Sequence, residues 1–239
     1  MPIDPAPVQP PDVTPLSKLP NFDAREVPVI GIDSHLPPVP LQALQAEAIR
    51  ARFRSPPAWE PELRAEPRFT DRQPAAAAVL VPIVQREEPM LLLTQRTSNL
   101  STHKGQVAFP GGKQDPTDVD LAHTATREAQ EEIGLEPRFV EIVGMLPTYT
   151  TGTRFIVTPV VGLVRPDFTL ALNPHEVADA FEVPLAFLMD PSQHRRHVID
   201  AEGATREWFS MLHTAGERER FIWGATAGML RNLYRFLVA

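Results

Sequence analysis

Gly111-Gly112-Lys113-Gln114-Asp115-Pro116-Thr117-Asp118, followed by Arg127-Glu128-Ala129-Gln130-Glu131-Glu132-Ile133-Gly134-Leu135, sets a diglycine turn ahead of a cluster of carboxylates. On an α-helix, where each residue advances by about 100 degrees, Glu128 and Glu132 lie one turn apart and Glu131 falls just to one side, so all three point into one arc. Glutamates gathered this way repel one another at neutral pH, and a cation is the usual means of neutralising them. Oxygen-only donors suit a hard divalent ion, Mg2+ or Mn2+, and the pattern reads as a metal site for a phosphate substrate. Arg127 stands four residues before Glu131, within pairing reach. Gly134 is placed to stop the helix.

Working outward, the helix is expected from about Asp118 to Ile133, with Ala122, Ala125, Ala129 and Ile133 as an apolar stripe whose small side chains permit close approach to a sheet. Upstream, Ala75 to Val84 and Met90 to Thr94 read as strands joined by the polar turn Gln85-Arg86-Glu87-Glu88-Pro89. A loop from Thr97 to Gln106 leads into the diglycine. Downstream strands are expected at Phe139 to Leu146, Phe155 to Val164, His194 to Asp200 and Arg206 to Leu212, with helices at Pro184 to Met189 and Gly224 to Leu237. Strands and helices mixed in this order, without internal repeats, indicate an α/β/α sandwich around a mixed sheet.

The N-terminal part differs in character. Sixteen of the 27 prolines fall in the first 74 residues, and Leu36-Pro37-Pro38-Val39-Pro40 forms neither helix nor central strand, so residues 1–40 are expected to be an extended or mobile proline-rich extension. Leu41, Leu44, Ala48, Ile49 and Phe53 recur at helical spacing, which predicts a short docking helix within a lead-in over 41–73. The main domain then occupies 74–239. A net charge of -7 argues against nucleic-acid binding, and 7% aromatic residues offer no platform for stacking bases, so the expected substrate is small. The absence of cysteine excludes disulfides, thiolate nucleophiles and thiolate metal sites. Met1-Pro2-Ile3-Asp4-Pro5 lacks a basic start and an apolar core, and no apolar run reaches spanning length, which gives the expectation of a cytoplasmic protein without membrane contact. His194 and His197, on an expected strand, are read as exposed rather than ligating, and Trp208 and Trp223 as core.

Gly112, Arg127, Glu128, Glu131, Glu132, Gly134 and Leu135 resemble the Nudix hydrolase box, written as Gly, five residues, Glu, seven residues, Arg-Glu-aliphatic-any-Glu-Glu-any-Gly-aliphatic. The chain departs from it at Asp118, which replaces the upstream Glu and is separated from Arg127 by eight residues rather than seven. Leu92-Leu93-Thr94-Gln95-Arg96-Thr97, Gly105 and Phe109-Pro110-Gly111-Gly112 are similar to a second signature, that of the coenzyme A pyrophosphatases within this family, with Thr97 in place of Ser or Ala and Ser101 in place of a second Arg. A hydroxyl at 101 offers neither the charge nor the fork of a guanidinium.

The resemblance implies a Nudix-type α/β/α sandwich and hydrolysis of the pyrophosphate in coenzyme A or its thioesters to 3',5'-ADP and 4'-phosphopantetheine. Arg127, Glu128, Glu131 and Glu132 would then be the catalytic set. Glu128 and Glu132 would ligate Mg2+ or Mn2+, Glu131 would help bind a further ion, and the carbonyl of Gly111 or Gly112 would complete a shell. Arg96, His103, Lys104 and Gln106 would contact substrate, and Glu176 would supply an extra base or ligand. As implied by the family, the assembly would be a homodimer. Two alternatives stand beside this reading: a Nudix pyrophosphatase for ADP-ribose, NADH or a dinucleoside polyphosphate, and a non-catalytic nucleotide-binding Nudix domain.

Overall fold

The apolar run Ala75–Val84 is buried along most of its length because it is the central strand of the larger sheet. The computed structural model describes residues 22–66, 70, 73–97, 105–201 and 204–239 of the 239-residue chain. In chain order its elements are β1 (Val29–Ile32), α1 (Ala46–Arg54), β2 (Ala75–Val84), β3 (Met90–Arg96), β4 (Val107–Ala108), β5 (Gly111–Lys113), α2 (Leu121–Ile133), β6 (Val140–Met145), β7 (Tyr149–Thr150), β8 (Phe155–Val164), β9 (Val177–Pro184), α3 (Leu185–Leu188), β10 (Arg195–Ala201), β11 (Ala204–Ala215), β12 (Arg218–Trp223) and α4 (Gly224–Val238).

Two sheets carry the fold. The larger runs β4-β3-β2-β8-β6, with β2 and β8 parallel from Ala75 opposite Phe155 to Val84 opposite Val164, and β9 added on β3. β3 pairs with β2 only at Ile83 and Val84, then diverges, and β5 fills the vacated edge at Ala77 to Val79. This split brings the diglycine beside the central strand. The smaller, antiparallel sheet runs β1-β10-β11-β12.

Helix α2 covers one face of the larger sheet with the predicted stripe: Ala125, Ala129 and Ile133 are fully buried against Ala78, Leu80, Leu92 and Val160. The opposite face packs on α1, α4 and the smaller sheet through Ile49, Val81, Leu91, Phe209, Leu230 and Leu233. The α/β/α arrangement with a mixed sheet is therefore present, with a second antiparallel sheet built into its far layer.

Within the expected proline-rich extension, residues 1–21 lie outside the described residues, whereas Val29–Ile32 forms an edge strand on β10 and the Val39 amide donates to the Met189 carbonyl at 3.1 Å. Leu41–Leu44 is a 3-10 turn leading into α1, which docks by Ile49. One expectation is corrected: His194 and His197 are buried, at 0% and 2% exposure. His194 lies just before β10 against Arg231 and Tyr234 of α4, whereas His197 lies on the Trp208 face of the smaller sheet, which the N-terminal segment covers at Val27. His197 stacks on Trp208 and is bonded to Ser210 Oγ at 2.7 Å and to the Val27 carbonyl at 3.0 Å. Trp208 is buried and Trp223 half-buried.

His194 is held neutral by its partners. Arg231 Nη1, which has only protons to offer, donates to Nδ1 at 3.2 Å, so Nε2 carries the proton and donates to the Leu188 carbonyl at 2.8 Å. Burial, with Arg231 adding to it, pushes the imidazole down to about 4 from 6.5. Between these values the unfolded chain binds a proton that the folded chain does not, so this contribution to stability is complete above pH 6.5 and is lost as pH falls towards 4. The loss is at most about 3 kcal/mol. Urea unfolding midpoints measured from pH 7 to 4 are expected to fall less steeply for His194→Gln than for the unaltered chain.

Candidate active site

Helix α2 begins where Asp120 caps it, accepting from the His123 amide at 2.7 Å, and ends where Gly134 turns left-handed at φ 71°. Between these caps, Arg127 is the hub. Its Nε and Nη2 donate to the two Asp118 oxygens at 2.9 and 3.0 Å, Nη1 reaches Glu131 at 2.9 Å, and Nη2 reaches Glu128 at 2.9 Å. Asp118 also accepts from the Asp115 amide and the Thr124 hydroxyl, each at 2.9 Å, and contacts His123 Nδ1 at 2.9 Å. Arg127 first, then these donors, hold the Asp118 carboxyl well below the usual range, while Asp118 raises the arginine. The residue that departs from the box is therefore an enclosed anchor for Arg127. Its neighbours Asp115, Thr124 and Arg127 in the sequence were the available signal, but only folding shows that all converge on one carboxylate.

The three glutamates are not equivalent. Glu132 is buried at 4% exposure, accepts from the Gly111 amide at 3.2 Å and lies 3.8 Å from Arg96 Nη1. Burial pushes it up to about 7; the Gly111 amide and Arg96 pull the other way, and Glu176 and Glu128 add to the rise. Glu128 is raised as well, again chiefly by burial. Glu131 stands outward, its side chain 59% exposed. The shared arc expected from helix geometry thus resolves into an inner pair, Glu128 and Glu132, and an outer Glu131 tied to Arg127.

Glycine at 111 and 112 is demanded for two different reasons. A Cβ on Gly112 would lie 2.5 Å from a Glu128 carboxylate oxygen, so that side chain rests on bare backbone. A Cβ on Gly111 would collide with the Ala78 carbonyl and stand 2.6 Å from the Val79 Cα, both parts of the central strand.

Arg96, at the end of β3, lies beside Glu132, and its buried Nε has no hydrogen-bond acceptor among the described residues. A buried guanidinium proton without an acceptor is a donor that an anion such as a phosphoryl oxygen would satisfy. Gln106 is half-buried and its carbonyl accepts from the Arg96 amide at 3.0 Å. His103 and Lys104, and the departing Ser101, lie outside the described residues. Glu176 sits just before β9, where its carbonyl accepts from the Thr97 amide at 3.0 Å, and its charge reaches both Glu128 and Glu132.

This donor set fits a hard divalent cation in chemistry: carboxylates only, two of them driven up by burial and mutual repulsion, a state that a cation relieves. Among the described residues no three acids or histidines already converge as a cage. Arg127 holds Glu128 and Glu131, and the Gly111 amide holds one Glu132 oxygen, contacts that orient the carboxylates and leave further lone pairs on each.

A model of the NUDIX domain matches residues 74–211, and the chain belongs to this family. Similar proteins include the "Uncharacterized Nudix hydrolase NudL" of Enterobacter sp. (strain 638), 46% identical over 66% of this chain and 80% of its own, and that of Klebsiella pneumoniae subsp. pneumoniae, 44% identical over 72% and 87%. A solved C. elegans Ap4A hydrolase shares 23% identity over 46% of this chain and 80% of its own, with a TM-score of 0.39. The protein is accordingly a Nudix pyrophosphohydrolase for nucleoside diphosphate derivatives, in a family that uses divalent metal ions. No helix among the described residues is long and apolar enough to cross a membrane.

The two glycines separate catalysis from folding. Gly112→Ala is expected to keep its thermal midpoint within a few degrees while losing activity by about a hundredfold, because the Glu128 side chain can move but not without misplacing its carboxylate. Gly111→Ala, which meets strand backbone, is expected to lower the midpoint itself. Thermal melts and initial rates on the same preparations check both.

Proposed function

We propose that the chain hydrolyses the pyrophosphate of coenzyme A or its thioesters to 3',5'-ADP and 4'-phosphopantetheine or its acyl form, in the cytoplasm and with Mg2+ or Mn2+. The observation that carries the reading is Arg96, the charged residue of the second signature, whose buried Nε has no acceptor among the described residues and whose Nη1 lies 3.8 Å from Glu132.

Glu128 and Glu132, with the Gly112 carbonyl, would hold the first ion, and Glu131 would help hold a further one. The ion supplies Lewis-acid polarisation of phosphoryl oxygens and screens their charge. Arg96 takes one phosphoryl oxygen on Nε, placing the diphosphate against the inner carboxylates. Gln106, together with His103 and Lys104 from the sequence between Arg96 and the diglycine, would complete the substrate contacts. Arg127 keeps Glu128 oriented from behind. Glu131 or Glu176 takes the proton of the attacking water. Water adds across the phosphoanhydride, one phosphorus gaining the hydroxyl oxygen and the departing phosphate leaving as the other product, so no covalent enzyme intermediate is required. In assembly the family resemblance favours a homodimer.

Ser101 favours a second reading, in which the substrate is ADP-ribose, NADH or a dinucleoside polyphosphate, since a serine removes one phosphate-binding guanidinium from the coenzyme A signature. Product masses after incubation with Mg2+ or Mn2+ and each compound decide the matter. Release of 3',5'-ADP from coenzyme A is expected, and cleavage of another compound alone would discard coenzyme A. In the same assay Glu132→Gln is expected to reduce kcat by orders of magnitude, whereas a domain that only binds nucleotide would keep most of its affinity.

A further inference from the structure

Between Arg96 and Glu176 the sheet contains an irregularity that is held from outside. Along β3 and β9, Leu93 faces Phe181 and Gln95 faces Asp179, but Arg96 faces Val177, so one extra residue, Ala178, is accommodated on β9. A β-bulge of this kind reverses which face the following side chains address. Phe181 and Val183 belong to the core layer shared with β12 and α4, and by strand alternation Val177 should join them; instead it is buried with the α2 layer, among Leu92, Ala129 and Ile133. The bulge therefore turns the end of β9, and Glu176 beyond it, towards the carboxylate helix.

Arg220, on β12 and nine residues beyond the NUDIX match, closes this bulge from the opposite layer. It is 8% exposed; Nη1 donates to Gln95 Oε1 and Nη2 to Asp179 Oδ2, the pair directly before the slip, and its guanidinium lies over the Phe181 ring at 4.0 Å. Gln95 in turn donates from Nε2 to the Gly105 carbonyl at 3.3 Å, at the entry to β4. One planar fork thus fixes both strands on the residue adjoining Arg96 and three residues from Glu176. We infer that Arg220 is a positioning residue for substrate: by clamping Gln95 to Asp179 it sets the bulged register in which Arg96 and Glu176 address the diphosphate.

This inference rests on Arg96 contacting the substrate phosphates and not on the substrate being coenzyme A; if the unaltered chain leaves coenzyme A intact, the same series is run on the nucleotide it does split. Arg220→Met, which keeps the stem over Phe181, is expected to raise KM about tenfold with kcat within about twofold, and Arg220→Lys to recover part of the loss. In an Arg96→Ala background, whose own KM is raised, Arg220→Met should add little further, because two residues acting through one contact are not additive. An unchanged KM in Arg220→Met, an equal further rise in the Arg96→Ala background, or an Arg96→Ala variant with normal KM would each overturn the proposal. Should Arg220→Met not fold, Gln95→Met removes the same link while leaving Arg220 paired with Asp179, and its KM decides by the same criterion.

Discussion

Arg127 is attached to Asp118 on one side and to Glu128 and Glu131 on the other, and the local order of the whole site follows from that attachment. Four carboxylates around one helix would push one another apart. One guanidinium, anchored by an acid whose side chain has no exposed surface, gives three of them a fixed direction. Glu132 needs no share of it, because the Gly111 amide supplies its hydrogen bond. The diglycine is then a structural requirement before it is a chemical one: only bare backbone leaves room for Glu128 and lets the turn lie against the central strand.

The same arrangement explains how the site stores its readiness for a cation. Glu128 and Glu132 are buried where ionisation is disfavoured, and Glu176 adds to the pressure from just before β9. A divalent ion is favoured in such a place because it removes that penalty as it binds. The outer Glu131, by contrast, is exposed and salt-bridged, and it is the carboxylate freest to change partner. The division between inner and outer acids follows how far each lies around the helix from the buried Ala125-Ala129-Ile133 stripe, and what each then meets, the diglycine backbone or solvent, is supplied by the fold.

That distinction marks the limit of what the residues disclosed on their own. α2, its alanine stripe and its terminal glycine were legible because a helix writes its faces into a short stretch of chain. β2, β3 and β8 were legible as apolar runs. β9 was not, because the bulge at Ala178 interrupts the alternation that identifies a strand, and β1 was hidden among prolines. His194 and His197 were read as exposed because polar type was the only guide; their burial depends on Leu188, Ser210, Arg231 and the Val27 carbonyl, partners brought together only by the fold. Asp118 carries the same lesson within the site. Its departure from the box in type and spacing marked it as different, but its role is set by a convergence of four donors that no local pattern encodes.

The residues outside 74–211 are integral to this architecture, and the charges show why. Arg231 on α4 is 2% exposed, yet it pairs with Asp33 at 2.8 Å and Glu62 at 2.7 Å, two acids from the segments that precede the matched domain, and Arg196 on β10 joins both. Asn232 grips the Leu63 backbone by its amide and its carbonyl, as a neighbouring strand would. Burying these ions costs desolvation that their attraction about repays, so the network adds little net stability. Removing any one partner, however, strands a charge in the interior, and alternative placements of the N-terminal segment suffer that same penalty. The ionic cluster thereby specifies where the lead-in and the last helix sit. β12 runs directly into that last helix, and from it Arg220 reaches Gln95 and Asp179 on the strands that carry the candidate site.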